Sequence, residues 1–139
     1  MRAAVTMYRV LAITAVLHLG ASCLWGQAAH AQDSRLALKN GESTELHTVY
    51  WVVNCRSAMI GIPDTEIMEG PPEVMLSIKE GMVLPRRQNC AKEVPGGTLV
   101  LTVKGITERK DAQLVYRLKY KTKDGERQTS HTYRLSLFP

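Results

Sequence analysis

The strongest constraint on the fold lies in "LVYRLKYKTKDGERQTSHTYRLSL", residues 114–137, where two alternating runs flank Asp124-Gly125. Leu114, Tyr116, Leu118 and Tyr120 alternate with polar neighbours in the first run, and His131, Tyr133 and Leu135 do so in the second. A period of two is the signature of a strand with one buried face. Asp-Gly is a two-residue hairpin signal whose type I′ geometry needs positive φ. Pairing Lys123 with Glu126 sets Tyr120 against Thr129, Leu118 against His131, Tyr116 against Tyr133 and Leu114 against Leu135. That register gathers the apolar residues of both strands on one face, and a one-residue slip would mix the faces. Such a face has to be covered, and the rest of the chain offers mostly strands to cover it.

Helical periodicity is absent after the first thirty residues, and short alternating runs bounded by turn residues recur instead. "RLALK" (35–39) ends at Asn40-Gly41. "LHTVYWVVNC" (46–55) is rich in β-branched and aromatic residues, and as one strand it places Val49, Trp51, Val53 and Cys55 on a shared inward face. "EVMLSIKE" (73–80) follows two prolines, "MVLP" (82–85) extends or pairs with it, and "TLVLTVKGI" (98–106) follows Pro95-Gly96-Gly97, read as a turn. Several runs of this length predict a single all-β sandwich or barrel.

The first segment has a different character. Arg2 and Arg9 precede an apolar run from Val10 to about Gly26, and Ala29-His30-Ala31 follows. This is the order of a secretory signal, with cleavage expected after Ala31, so residues 1–31 are read as the signal and 32–139 as one domain. The run is too short and too interrupted for a permanent membrane span. Cys23 within "LGASC" raises a lipoprotein reading, which the glycine three positions ahead disfavours. A periplasmic or secreted protein is expected.

Export leaves Cys55 and Cys90, which allow one intramolecular bridge in a compartment where disulfides persist. No Cys-x-x-Cys spacing supports a redox pair. Charge is skewed along the chain: residues 32–80 hold four basic and eight acidic side chains, residues 81–139 twelve and five. In the hairpin register above, Arg117, Lys119, Lys121 and Arg134 share the face opposite the tyrosines. That face is either a solvated, aggregation-resisting surface or a dock for an acidic partner. Arg86 and Arg87, beside Cys90 in "PRRQNCAKEVPGG", form a second candidate contact on a connection held by the bridge.

The chain carries no phosphate-cradling loop, nucleotide fingerprint or interleaved aromatic-basic pattern. His47 and His131 fall on apolar strand faces by parity, and Met59, Met68, Met75 and Met82 form no spaced cluster with them for copper. Asp64, Glu66, Glu69 and Glu73 do not reproduce a calcium loop and are read as an acidic loop. No catalytic residue, metal or cofactor is expected.

The order of short strands, Trp51, the two cysteines and the tyrosine-bearing final hairpin resemble an immunoglobulin-like β-sandwich of about seven antiparallel strands. The cysteine positions depart from the antibody pattern: Trp51 precedes both, and Cys90 lies well upstream of Tyr116. "GPPEVMLSIKE", "PRRQNCAKEVPGG" and "YKTKDGERQ" are also similar to small exported bacterial proteins of that fold. The resemblance implies fold and compartment and transfers no activity. The expected function is a non-enzymatic binding or adaptor module for an exported protein or an anionic envelope polymer. The alternative is an inhibitor or chaperone-like protein that caps another exported chain by strand-edge pairing; nucleic acid is disfavoured as a partner.

Overall fold

The computed structural model describes residues 34–139, so the segment read as a secretory signal and Cys23 lie outside the described residues. Nine strands follow in order: β1 Ser34–Lys39, β2 Ser43–Val49, β3 Val52–Val53, β4 Arg56–Ser57, β5 Asp64–Glu69, β6 Val74–Val83, β7 Val94–Val103, β8 Lys110–Thr122 and β9 Gly125–Phe138. They form a four-stranded sheet in the order β1-β9-β8-β5 and a three-stranded sheet in the order β2-β7-β6; β3 and β4 make a separate small hairpin. β1 runs parallel to β9, and the other pairings are antiparallel. The protein is an all-β sandwich.

Alternation explains where the core sits. Leu114, Tyr116 and Leu118 of β8, with Leu135 and Leu137 of β9, pack against Leu99, Leu101 and Val103 of β7 and Val49 of β2, all essentially without solvent exposure. Burying each such aliphatic side chain contributes about 2 kcal/mol. β1 crosses between sheets at Asn40-Gly41, where Gly41 has φ 85° and the Asn40 side-chain oxygen accepts the Gly105 N–H at 2.8 Å. That bond ties the β1–β2 turn to the connection after β7.

The final hairpin forms in a register two residues from the expected one. Thr122 pairs with Gly125, Leu118 with Thr129, Tyr116 with His131 and Leu114 with Tyr133. Gly125 has φ 110°, whereas Asp124 is not in the left-handed region, so the tip is not the turn that Asp-Gly would give with both residues central. The Thr122 hydroxyl donates to the Gly125 carbonyl at 2.6 Å and accepts the Asp124 N–H at 3.3 Å, which closes the turn one step earlier. An even shift preserves the faces, so the expected inner and outer sets survive the wrong register.

"LHTVYWVVNC" is not one strand. β2 ends at Val49, and Asn54 and Cys55, with φ 50° and 58°, form the tip of the tight β3–β4 hairpin. Val53 is consequently 53% exposed and Cys55 is exposed, rather than inward with Trp51. Asparagine tolerates this conformation better than other L residues, which is the local reason the chain turns there. Pro95-Gly96-Gly97 is likewise no turn but the start of β7, where Pro95 pairs with Met82 and Gly97 lies between Glu80 and Val49. β2 reaches β7 only as far as Gly97, so Pro95 needs no N–H on that side. "MVLP" does extend the preceding run: β6 continues through Val83.

Candidate functional site

The Cys55–Cys90 bridge forms, with Cα atoms 5.4 Å apart and an S–S distance of 2.06 Å. It joins the tip of the β3–β4 hairpin to the chain just after the 3-10 turn at Arg86–Gln88, which Asn89 ends in the left-handed region at φ 54°. Pro85 is buried beneath that turn, and its carbonyl accepts the Cys90 N–H at 3.3 Å. Sequence alone paired the cysteines correctly but placed Cys55 inward; Cys55 is the exposed end of the bridge and Cys90 the buried one.

Held this way, the turn closes one end of a cleft of about 780 Å³ on the open side of the sandwich, between β2 and the middle of β9. A bulge between Glu45 and His47 turns the adjacent Leu46 and His47 both toward the cleft, where strict alternation would send one outward. From β9 come Thr129, His131 and Tyr133, from the connections Tyr50, Trp51, Arg87 and Gln88. The Tyr50 hydroxyl donates to the Gln88 side-chain carbonyl at 3.0 Å and so fastens the turn to the end of β2.

The rings behind the cleft form two groups, one of His47, His131, Tyr116 and Tyr133 and the other of Trp51 and Tyr120. His47 and His131 lie 4.6 Å apart between centroids, Tyr116 lies 5.2 Å from His131 and 6.1 Å from Tyr133, and Trp51 lies 5.3 Å from Tyr120. His47 Nδ1 sits 3.0 Å from the Thr48 carbonyl, which can only accept, so Nδ1 carries the proton. In that tautomer Nε2 accepts the Tyr116 hydroxyl at 2.9 Å. Burial, reinforced by the neighbouring Tyr133, pushes the Tyr116 phenol far up, so it stays protonated and available as that donor. His131 is held below the ordinary histidine value, first by burial and then by the neighbouring His47 and Arg87, beside which a second positive charge is disfavoured. Its Nε2 is 3.2 Å from the Thr129 hydroxyl.

The expected site residues separate. Arg87 lines the cleft and Arg86, one residue away on the turn, does not. Arg117, Lys119 and Lys121 do occupy the outer face of β8, but β5 lies alongside them and supplies carboxylates: Lys119 pairs with Glu66 at 2.7 Å and Lys121 with Asp64 at 3.8 Å. The Lys119 hydrogen bond, followed by its charge, holds the Glu66 carboxyl below its usual range. The segment read as an acidic loop is thus an edge strand that offsets part of the basic face. Arg134 is on the same face of β9, across from Arg35 of β1. Among the described residues no three His, Cys, Asp or Glu side chains are grouped as a metal site. Sequence reasoning placed both histidines on inner faces but did not bring them together; the shared parity of His47 and Val49, and of His131 and Tyr133, was the available signal.

No protein-family profile matches the chain, and no curated protein matches it significantly in sequence. No helix among the described residues is long and apolar enough to cross a membrane, and the disulfide is compatible with an oxidising compartment.

Proposed function

We propose that this is an exported, non-enzymatic binding module that accepts an extended segment of another exported protein at the open side between β2 and β9. The observation that carries it is the pair of uncovered edges beside the aromatic cleft. β9 runs Gly125–Phe138, yet β1 pairs only with Tyr133 through Phe138, and among the described residues nothing pairs with the outer edge of β2. In the immunoglobulin strand order the first strand lies beside the second on its sheet. Here the corresponding strand, β1, runs on the other sheet, and that position beside β2 is open. A bare edge offers backbone N–H and C=O groups to an added strand, while the rings behind the cleft would take its alternate side chains. The cleft is favoured over the outer basic face because Lys119 and Lys121 already have acidic neighbours.

The test is site-directed photo-crosslinking in living cells from Thr48 and Ser130, which line the cleft and are exposed, with Arg117 on the outer face as control. The expected outcome is one discrete crosslinked protein from both cleft positions and none from Arg117. Crosslinks from Arg117 alone, or equal labelling at all three positions, would overturn the proposal.

A further inference from the structure

We infer that the segment accepted by the cleft carries a carboxylate, seated at the end where Arg87 and His131 line it; the inference rests on the strand-accepting role just proposed. Charge complementarity is the argument. The cleft wall holds a fixed cation, Arg87, and two imidazoles, and among the described residues no Asp or Glu lines it. Arg87 forms no ion pair among the described residues, and its charge acts on His131. An exposed arginine is ordinarily only solvated, but this one is held by a turn that the disulfide and the Tyr50–Gln88 hydrogen bond both fasten.

The groups facing His131 are His47 from β2, Tyr116 from β8 and Arg87 from the connection after β6, with Thr129 and Tyr133 on its own strand. None of them supplies a negative charge at neutral pH. A carboxylate arriving there gains a planar guanidinium that can hold it by two hydrogen bonds, and it relieves the repulsion that a protonated His131 would feel. A lysine at the same position of the ligand would meet Arg87 and be rejected. Apolar side chains at alternate positions would lie on Trp51, Tyr120 and Tyr133.

The experiment uses the exported, disulfide-bonded protein and fluorescein-labelled peptides of about eight residues. Each alternates valine and serine, with a central glutamate, glutamine or lysine, and binding is read by fluorescence anisotropy. The glutamate peptide should bind about tenfold more tightly than the glutamine peptide, the scale of one charge-assisted hydrogen bond, and the lysine peptide more weakly than either. Arg87→Gln, at an exposed position that should not disturb folding, should erase that order, and Arg117→Ser with Lys119→Ser should leave it intact. His131→Gln should abolish the extra tightening of the glutamate peptide seen on lowering the pH from about 7.5 to about 5.5. Equal affinity for the three peptides, or an order unchanged in Arg87→Gln, overturns the carboxylate seat while leaving strand acceptance standing. Failure of all three peptides together with absent cleft crosslinks overturns both.

Discussion

Gly96 and Gly97 let β7 approach its two neighbours more closely than any side chain would permit, and Gly96→Ala tests how much stability depends on that approach. A Cβ at Gly96 would lie 2.4 Å from the Val49 carbonyl oxygen and 2.8 Å from Val83 Cγ2. The first of these is backbone on β2, so no rotamer change relieves it, and β2 would have to move away from β7. Overpacking of this kind costs about 3 kcal/mol at the upper end of its usual range, and the reduced freedom of the unfolded chain returns at most about 1 kcal/mol. The net loss of about 2 kcal/mol should lower the melting temperature of a domain this size by roughly 10 °C. Gly81 supplies the control, because it pairs with Gly96 but has no atom within 4 Å of its would-be Cβ, so Gly81→Ala should be neutral or slightly stabilising. Urea unfolding of the oxidised protein, followed by far-ultraviolet circular dichroism, measures both, with the midpoint falling and the slope unchanged for Gly96→Ala. A Gly96→Ala protein as stable as the parent, or a Gly81→Ala protein equally weakened, would refute the close-approach argument and restore the reading of Pro95-Gly96-Gly97 as a flexible turn.

Replacing both Cys55 and Cys90 with serine removes a cross-link spanning 35 residues, and the chain-entropy estimate gives a loss of roughly 3.8 kcal/mol, measurable by the same urea titration. Because the bridge also holds Arg87, that variant should lose the preference for the glutamate peptide even where it remains folded. His131 has its folded pKa lowered, so the unfolded state takes up the proton more readily; the stability it contributes is complete above about pH 6.5 and is lost as pH falls through the folded value. Melting temperature against pH should therefore decline over that window, and His131→Gln should flatten the decline. Lys110 donates to Glu73 at 2.5 Å and, by that hydrogen bond first, holds its carboxyl below 4.5, so the pair stabilises above that pH and the contribution fades as pH falls below it. Lys110→Met should lower the melting temperature at neutral pH and have a shrinking effect toward pH 3, and a constant difference across the range would argue against it.

The sandwich class was legible because strand faces are written locally: Leu114, Tyr116, Leu118 and Tyr120 alternate within a few residues, and no knowledge of their partners is needed to see it. The disulfide pairing was legible by arithmetic, since reading residues 1–31 as a removable signal left only Cys55 and Cys90 to pair, and that bridge forms. Local pattern misled where a residue type serves two purposes. Asp124-Gly125 signals a turn without saying which residues occupy its centre, and the Thr122 hydroxyl decided that. Gly96 and Gly97 follow a proline as turn residues do, yet they are needed for contact with Val49 and Lys79, on strands far away in sequence. Asp64 and Glu66 looked like a solvated loop because the partners that make β5 a strand belong to β8.

The cleft depends on pairing between distant parts of the chain. His47 and Tyr116 are 69 residues apart, and neither carries a mark of the other. Alternation along the chain assigned each histidine an inner face, since a side chain's side of a strand follows from counting. Which edges stay uncovered, and that His47, His131 and Arg87 line one cleft, follows from β1 joining β9 instead of β2 and from the bridge holding Arg86–Gln88 against Tyr50. Those are choices among non-local pairings whose energies depend on the packed sheets, so they exist only once the two sheets have met.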